Sequence, residues 1–184
     1  MPIAASDQHA LVPHPATPCA AVRALTVAAE RPAAALLTLR YRIEGDLEVL
    51  RIPEPRSPVR AEGLWQHTCL EAFIGQAGGK AYWEYNFSPS GAWAAYQFSG
   101  YREGMAPLLK GAAPVISMHA TGDSLALSVA VDLSWISRAT AAELVLGATA
   151  VIETRERVLS YWALKHCAEK PDFHRGDSFV LPLV

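Results

Sequence analysis

Alternation of apolar and polar residues with a period of two dominates this chain. Leu37, Leu39, Tyr41 and Ile43 interleave with Thr38, Arg40, Arg42 and Glu44, as in a half-buried strand with one wet face. Leu125, Leu127, Val129, Val131 and Leu133 repeat the pattern over Ser124 to Leu133, separated by small residues that suit a close neighbouring layer. Further strands are expected at Val22–Ala28, Leu47–Ile52, Cys69–Ile74, Tyr82–Phe87, Ala92–Phe98, Val115–Ala120, Leu144–Glu153, Val158–Leu164 and Phe179–Leu183. Between Val49 and Leu50 the apolar phase changes, which points to a β-bulge. Gly45-Asp46, Gly78-Gly79, Pro89-Ser90-Gly91 and Gly122-Asp123 supply turns. Pro182 has no N–H to donate, so the last segment belongs at a sheet edge. No segment carries three helical turns with an apolar stripe. The best helical candidate is short, from Asp132 as N-cap through Ser137.

Many short strands, closely spaced turns and no alternating helices predict an all-β fold. The expected architecture is an antiparallel β-sandwich with at most short helices. Residues 1–20, with Pro2, Pro13, Pro15 and Pro18 among small residues, read as an N-terminal arm, and residues 21–184 as one sandwich domain. Pro53, Pro55 and Pro58 mark a rigid loop, because strands continue on both sides of it.

Composition narrows the function. A content of 51% hydrophobic and 18% charged residues speaks against disorder. A formal net charge of −2 offers no basic stripe for nucleic acid. The apolar runs fall well short of the roughly 20 residues that a membrane helix needs. Cys19, Cys69 and Cys167 are too far apart for a zinc motif and too odd a set for a disulfide framework. The N-terminus lacks a basic segment followed by an apolar run, so the expected location is cytoplasmic. Dinucleotide, phosphate-loop, nucleophile-elbow and zinc-protease signatures are all missing, and no cofactor is expected.

The candidate chemistry lies on strand faces. In Tyr82–Ser88 one face carries Trp83, Tyr85 and Phe87, a core set; the other carries Tyr82, Glu84, Asn86 and Ser88. Cys69, Glu71 and Phe73 share a face, so Glu71 stands on an apolar side of its strand and must either meet a partner or open into a pocket. His166 and His174 share a loop with Asp172, but their spacing imposes no ligand geometry and no metal site is assigned.

The run Trp65-Gln-His-Thr-Cys-Leu-Glu71-Ala-Phe-Ile resembles a strand of the family 9 carbohydrate-binding modules and the wider DOMON-like superfamily. Tyr82-x-Glu84-Tyr-Asn86-Phe-Ser88-Pro89-Ser-Gly91 is similar to that superfamily's next hairpin. Ser160-Tyr161-Trp162-Ala163-Leu164, Pro171-Asp172-Phe173-His174 and Phe179-Val180-Leu181 resemble its closing strands. The likeness runs in order over roughly residues 20–184 and is nearest to a bacterial single-domain subgroup, one named after a cell-wall precursor reductase. No flavin-binding pattern accompanies it. The resemblance implies a clamp of two tryptophans on a sugar ring, with a carboxylate and amides bonding its hydroxyls. By position, Trp65 and Trp162 take the clamp, Glu71 and Asn86 the polar contacts, with Glu84 and Tyr161 nearby. His67-Thr68 depart from the acidic residues many relatives carry there.

The leading expectation is a non-catalytic module that binds a small molecule, a sugar or sugar derivative, without nucleic-acid or membrane partners. Three alternatives remain open. One is a protein-interaction module. Another is a small acid–base enzyme using Glu71, Glu84 and a loop histidine. The third is a haem-binding DOMON domain, for which Met105 with His166 or His174 is the available pairing.

Overall fold

A computed structural model describes residues 7–137 and 143–183. The first six residues of the arm and Val184 lie outside this description. Strand makes up 52% and helix 3%, which places the chain in the all-β class. In chain order the strands are β1 (Gln8–Ala10), β2 (Val12–Pro13), β3 (Val22–Ala33), β4 (Leu36–Gly45), β5 (Val59–Arg60), β6 (Cys69–Gln76), β7 (Tyr82–Phe87), β8 (Ala92–Phe98), β9 (Ala106–Pro107), β10 (Val115–Thr121), β11 (Ser124–Asp132), β12 (Leu144–Glu153), β13 (Leu159–Ala163) and β14 (Leu181–Pro182).

These strands form two sheets packed as a sandwich. The smaller runs β1-β3-β4-β11-β10. The larger runs β2-β13-β12-β6-β7-β8-β5, with β14 beside β12 and β9 beside β8. All pairings are antiparallel except β5 with β8. Apolar residues from both inner faces meet in one core: Leu37, Leu39, Tyr41 and Ile43 from β4, Leu125 to Val131 from β11, Leu70, Ala72 and Ile74 from β6, and Leu144 to Ile152 from β12.

The two sheets treat their outer faces differently. Along β4 burial alternates, with Arg40 and Arg42 exposed between buried neighbours, as its sequence pattern predicts. Along β6 every residue from Cys69 to Gly75 is buried, and β12 is almost as dry. A second apolar cluster covers this outer face, containing Phe73, Tyr82, Tyr96 and Phe98 from the sheet with Phe173 and Phe179 from the segment after β13. Glycine permits that cover. A Cβ on Gly147 of β12 would lie 2.6 Å from the Phe179 ring, so only a bare backbone admits the ring there.

The structure corrects three local expectations. Leu47–Ile52 is a turn followed by a lone bridge from Leu50 to Thr154, not a strand. Asp46 accepts from the Glu48 N–H at 3.1 Å and its carbonyl from Val49 at 3.2 Å, which curls the chain. The phase change at Val49 and Leu50 reflects that turn: Val49 is 42% exposed while Leu50 is buried. Asp132 likewise closes β11 with a turn rather than opening a helix, accepting N–H bonds from Ser134 and Ala112, both at 2.9 Å. The last strand shrinks to Leu181–Pro182, paired on one side with Val145 and Leu146. Within the arm, β1 pairs with β3 and β2 with β13, so this segment adds an edge to each sheet.

Candidate functional site

Strand register builds the site. Across the outer face of the larger sheet, Asn86 of β7 pairs with Glu71 of β6, which pairs with Thr149 of β12. One pleat away, Tyr96 of β8 pairs with Glu84 of β7, which pairs with Phe73 of β6. On the other side of the Glu71 row lie Cys69 and Val151, the latter paired with Tyr161 of β13. The antiparallel ladder therefore sets two glutamates on one floor, ringed by aromatic side chains.

Connecting segments raise the walls. A single 3-10 turn, Leu64–Gln66, presents Trp65, which is 37% exposed and meets Tyr96 edge-on at 6.0 Å. Arg102 and Met105 come from the loop between β8 and β9, and Pro171, Phe173 and His174 from the segment after β13. Together they enclose a cavity of about 360 Å³ over Glu71, Phe73, Glu84 and Tyr161. That volume lies near the lower end of small-molecule sites, roughly 300–1,000 Å³. Arg102 occupies the left-handed backbone region, with φ 55°, a conformation that non-glycine residues hold at a cost.

The floor is polar and dry. Glu71 is 2% exposed; one of its oxygens accepts from the Thr149 hydroxyl at 3.0 Å. Glu84 accepts from the Asn86 amide at 2.8 Å. Burial pushes the Glu71 carboxyl well above the usual range, and the nearby Glu84 pushes it further. Burial raises Glu84 too, against the Asn86 hydrogen bond and the Arg102 charge. Both shifts favour the protonated carboxyl.

His174 completes the polar rim. Burial, with the Arg102 charge adding to it, lowers its imidazolium to about 4, so at neutral pH the ring is uncharged. Its Nε2 lies 3.9 Å from a Glu84 oxygen, close in space but not an ion pair at that protonation. The Tyr82 oxygen accepts the Arg102 N–H at 3.2 Å, which leaves its own hydroxyl to donate to His174 Nδ1 at 2.8 Å. With the Tyr82 hydroxyl donating, the imidazole proton is on Nε2, facing Glu84. Asp172 holds the loop by accepting from Arg102 at 2.9 Å and from the Tyr101 hydroxyl.

Of the residues expected from sequence, Trp65, Glu71, Glu84 and Tyr161 line the cavity. Asn86 lies beneath it, fully buried, bonded to Glu84. Trp162 requires correction as a clamp. It points to the inner face of β13, 4% exposed within the core, where its indole donates to Ser160 at 2.9 Å. Adjacent strand residues face opposite ways, so the outward neighbour Tyr161 takes the place by the cavity. Pro171 to His174 form a loop against the sheet instead of a closing strand. His174 reaches the site, whereas His166 bonds the Val12 carbonyl at 2.9 Å and stacks edge-on with His14. His67 and Thr68 serve a separate corner. His67 bonds Glu153 at 2.8 Å, and Thr68 donates to the Arg51 carbonyl. Arg102 gives no signal in the sequence, since a loop position carries no periodicity.

Among the described residues no three His, Cys, Asp or Glu side chains gather as a metal cage, and no helix is long and apolar enough to cross a membrane.

No family model matches the chain, and no curated protein is detectably similar to it. A crystal structure of a putative carbohydrate-binding protein from Bacteroides uniformis superimposes with a TM-score of 0.69 at 13% sequence identity, covering 97% of this chain and 87% of that one. At that identity the likeness establishes a shared fold.

Proposed function

We propose that the hollow on the outer face of the larger sheet binds a small polar ligand, a sugar or sugar derivative. One observation carries the reading: a cavity of about 360 Å³ combines aromatic walls with buried carboxylates on its floor. Sugar rings offer apolar C–H faces to aromatic rings and hydroxyls to polar groups, and this lining supplies both. Trp65 and Tyr161 flank the ring; Glu71, Glu84 and His174 take its hydroxyls, with Asn86 orienting Glu84 from below. The fold shared with the Bacteroides protein, and the resemblance to family 9 carbohydrate-binding modules, support this assignment. Calorimetric titration with mono- and disaccharides should show binding that disappears in Trp65→Ala while the variant keeps its melting temperature. Absence of binding by wild-type protein at millimolar saccharide would overturn it.

A second reading draws on the same floor. Two glutamates with raised carboxyls, beside a neutral histidine, form an acid–base set of the kind proton-transfer enzymes use. Slow turnover of nitrophenyl glycosides or faster mutarotation of a hexose, lost in Glu84→Gln, would favour it over simple binding.

A further inference from the structure

We propose that the ligand of this hollow carries a basic amine, which Glu71 and Glu84 receive together as an ammonium group. The inference rests on the binding reading above and adds a ligand class to it.

The argument begins with the count of charges. Glu71 and Glu84 sit on neighbouring rows of one sheet face, and both line the cavity. Thr149 satisfies one Glu71 oxygen; the other, Oε1, meets no hydrogen-bond donor among the described residues. On Glu84, Asn86 satisfies Oε1, while Oε2 has only the His174 ring at 3.9 Å. Each acid therefore keeps one oxygen free beside the cavity. Arg102 alone among the lining residues carries a fixed positive charge, and its guanidinium is held by Asp172 at 2.9 Å. No lysine lines the hollow.

Other groups around the pair add no cation. Tyr41, reaching up from the smaller sheet, donates to the Glu71 carbonyl at 2.7 Å, and burial keeps its phenol neutral. Burial raises Cys69, Tyr82 and Tyr96 as well, so each holds its proton. His174 is uncharged at neutral pH. Glu62 sits behind Tyr96, accepting its hydroxyl, and supplies no cation.

A neutral polyol can donate to the two free oxygens, but it leaves the carboxyls either protonated or facing each other charged. An ammonium supplies three donors and the missing charge. Its charge displaces a carboxyl proton, which leaves for the buffer, and Trp65 at the wall adds a cation–π contact. Raised carboxyls are the state that such a ligand would relieve.

Titration calorimetry tests this with D-glucosamine, D-galactosamine and D-mannosamine, their N-acetyl forms, the parent hexoses, and methylammonium chloride. Each is run near pH 6.5 in two buffers of different ionisation enthalpy. At least one amino sugar should bind about tenfold or more tighter than both its acetylated and parent forms, with proton release to the buffer. Glu71→Gln and Glu84→Gln, each checked to melt cooperatively from a folded state, should each erase that preference. If neutral or acetylated sugars bind as tightly as the amines, the amine assignment falls and the sugar reading stands. If methylammonium binds with proton release and no saccharide does, the amine site stands and the sugar reading falls. If none of these probes binds, both fall.

Discussion

Two corners of the same sheet face are built from the same ingredients and end in opposite states. Each has a buried glutamate, a histidine and an arginine. At the end of β12, Glu153 is 3% exposed and receives Arg51 at 3.0 Å on both oxygens and His67 at 2.8 Å. Burial works to raise its carboxyl, yet the hydrogen bonds from His67 and Arg51 outweigh it and hold Glu153 below the usual range. At the hollow, Glu84 has Arg102 and His174 for neighbours, but Asp172 occupies Arg102 and Tyr82 occupies His174. Glu84 and Glu71 are raised instead. A buried acid with its cation attached is scaffold. A buried acid whose cation is held a few ångströms away is left with capacity for a guest, and that difference singles out the hollow.

The contrast makes predictions that can be ordered by size. The largest concerns His174. His174 titrates near 4 in the folded chain and near 6.5 when unfolded, so the unfolded chain binds more protons between those values and stability must fall as pH drops through that window. The loss amounts to about 3 kcal/mol at most. Urea melts of wild type and His174→Phe at pH 7 and pH 4.5 should show the wild type losing more, since the variant lacks this titration; parallel losses would refute a buried neutral imidazole. Arg51→Met comes next. It strips Glu153 of its main partner and should cost about 2 kcal/mol at pH 7, less than for a fully buried pair because Arg51 is 40% exposed.

A smaller effect, of opposite sign, is expected from Glu71→Gln. A carboxyl raised by folding contributes its stability at low pH and loses it as pH rises through the folded value. The amide should therefore be more stable than wild type by ~1–2 kcal/mol at pH 7.5, with the gain vanishing as pH falls into the ordinary carboxyl range. A destabilised variant at pH 7.5 would mean that Glu71 is a structural acid like Glu153. Smallest in stability is Trp65→Ala, within about 0.5 kcal/mol because the indole is partly exposed, although it should abolish ligand binding.

Much of this fold was legible in the chain. Period-two alternation located β4 and β11 because one face of the smaller sheet is wet, and the bounds of β7, β8 and β12 matched the apolar runs. The short strands β1, β2, β5 and β9 escaped, since two or three residues cannot display a period. Leu47–Ile52 misled because a turn capped by Asp46 can bury Leu50 without any ladder. In the site, face alternation grouped Glu71 with Phe73 and Glu84 with Asn86, and the pairing of β6 with β7 sets both groups on the outer face of the larger sheet. The resemblance, not the alternation, misplaced Trp162: alternation within Ser160–Ala163 puts Tyr161 outward. Arg102 and His174 lie apart from the glutamates in sequence, and only folding of the β8–β9 loop and the segment after β13 over the sheet brings them there.

The most direct test follows the tryptophan indole N–H resonances of nitrogen-15-labelled protein during titration with an amino sugar or its parent hexose. Saturable movement of the Trp65 signal, with that of Trp162 unmoved in its bond to Ser160, is the expected result. Either no response at millimolar saccharide, or a response at Trp162 that leaves Trp65 unchanged, would contradict a ligand held in the hollow.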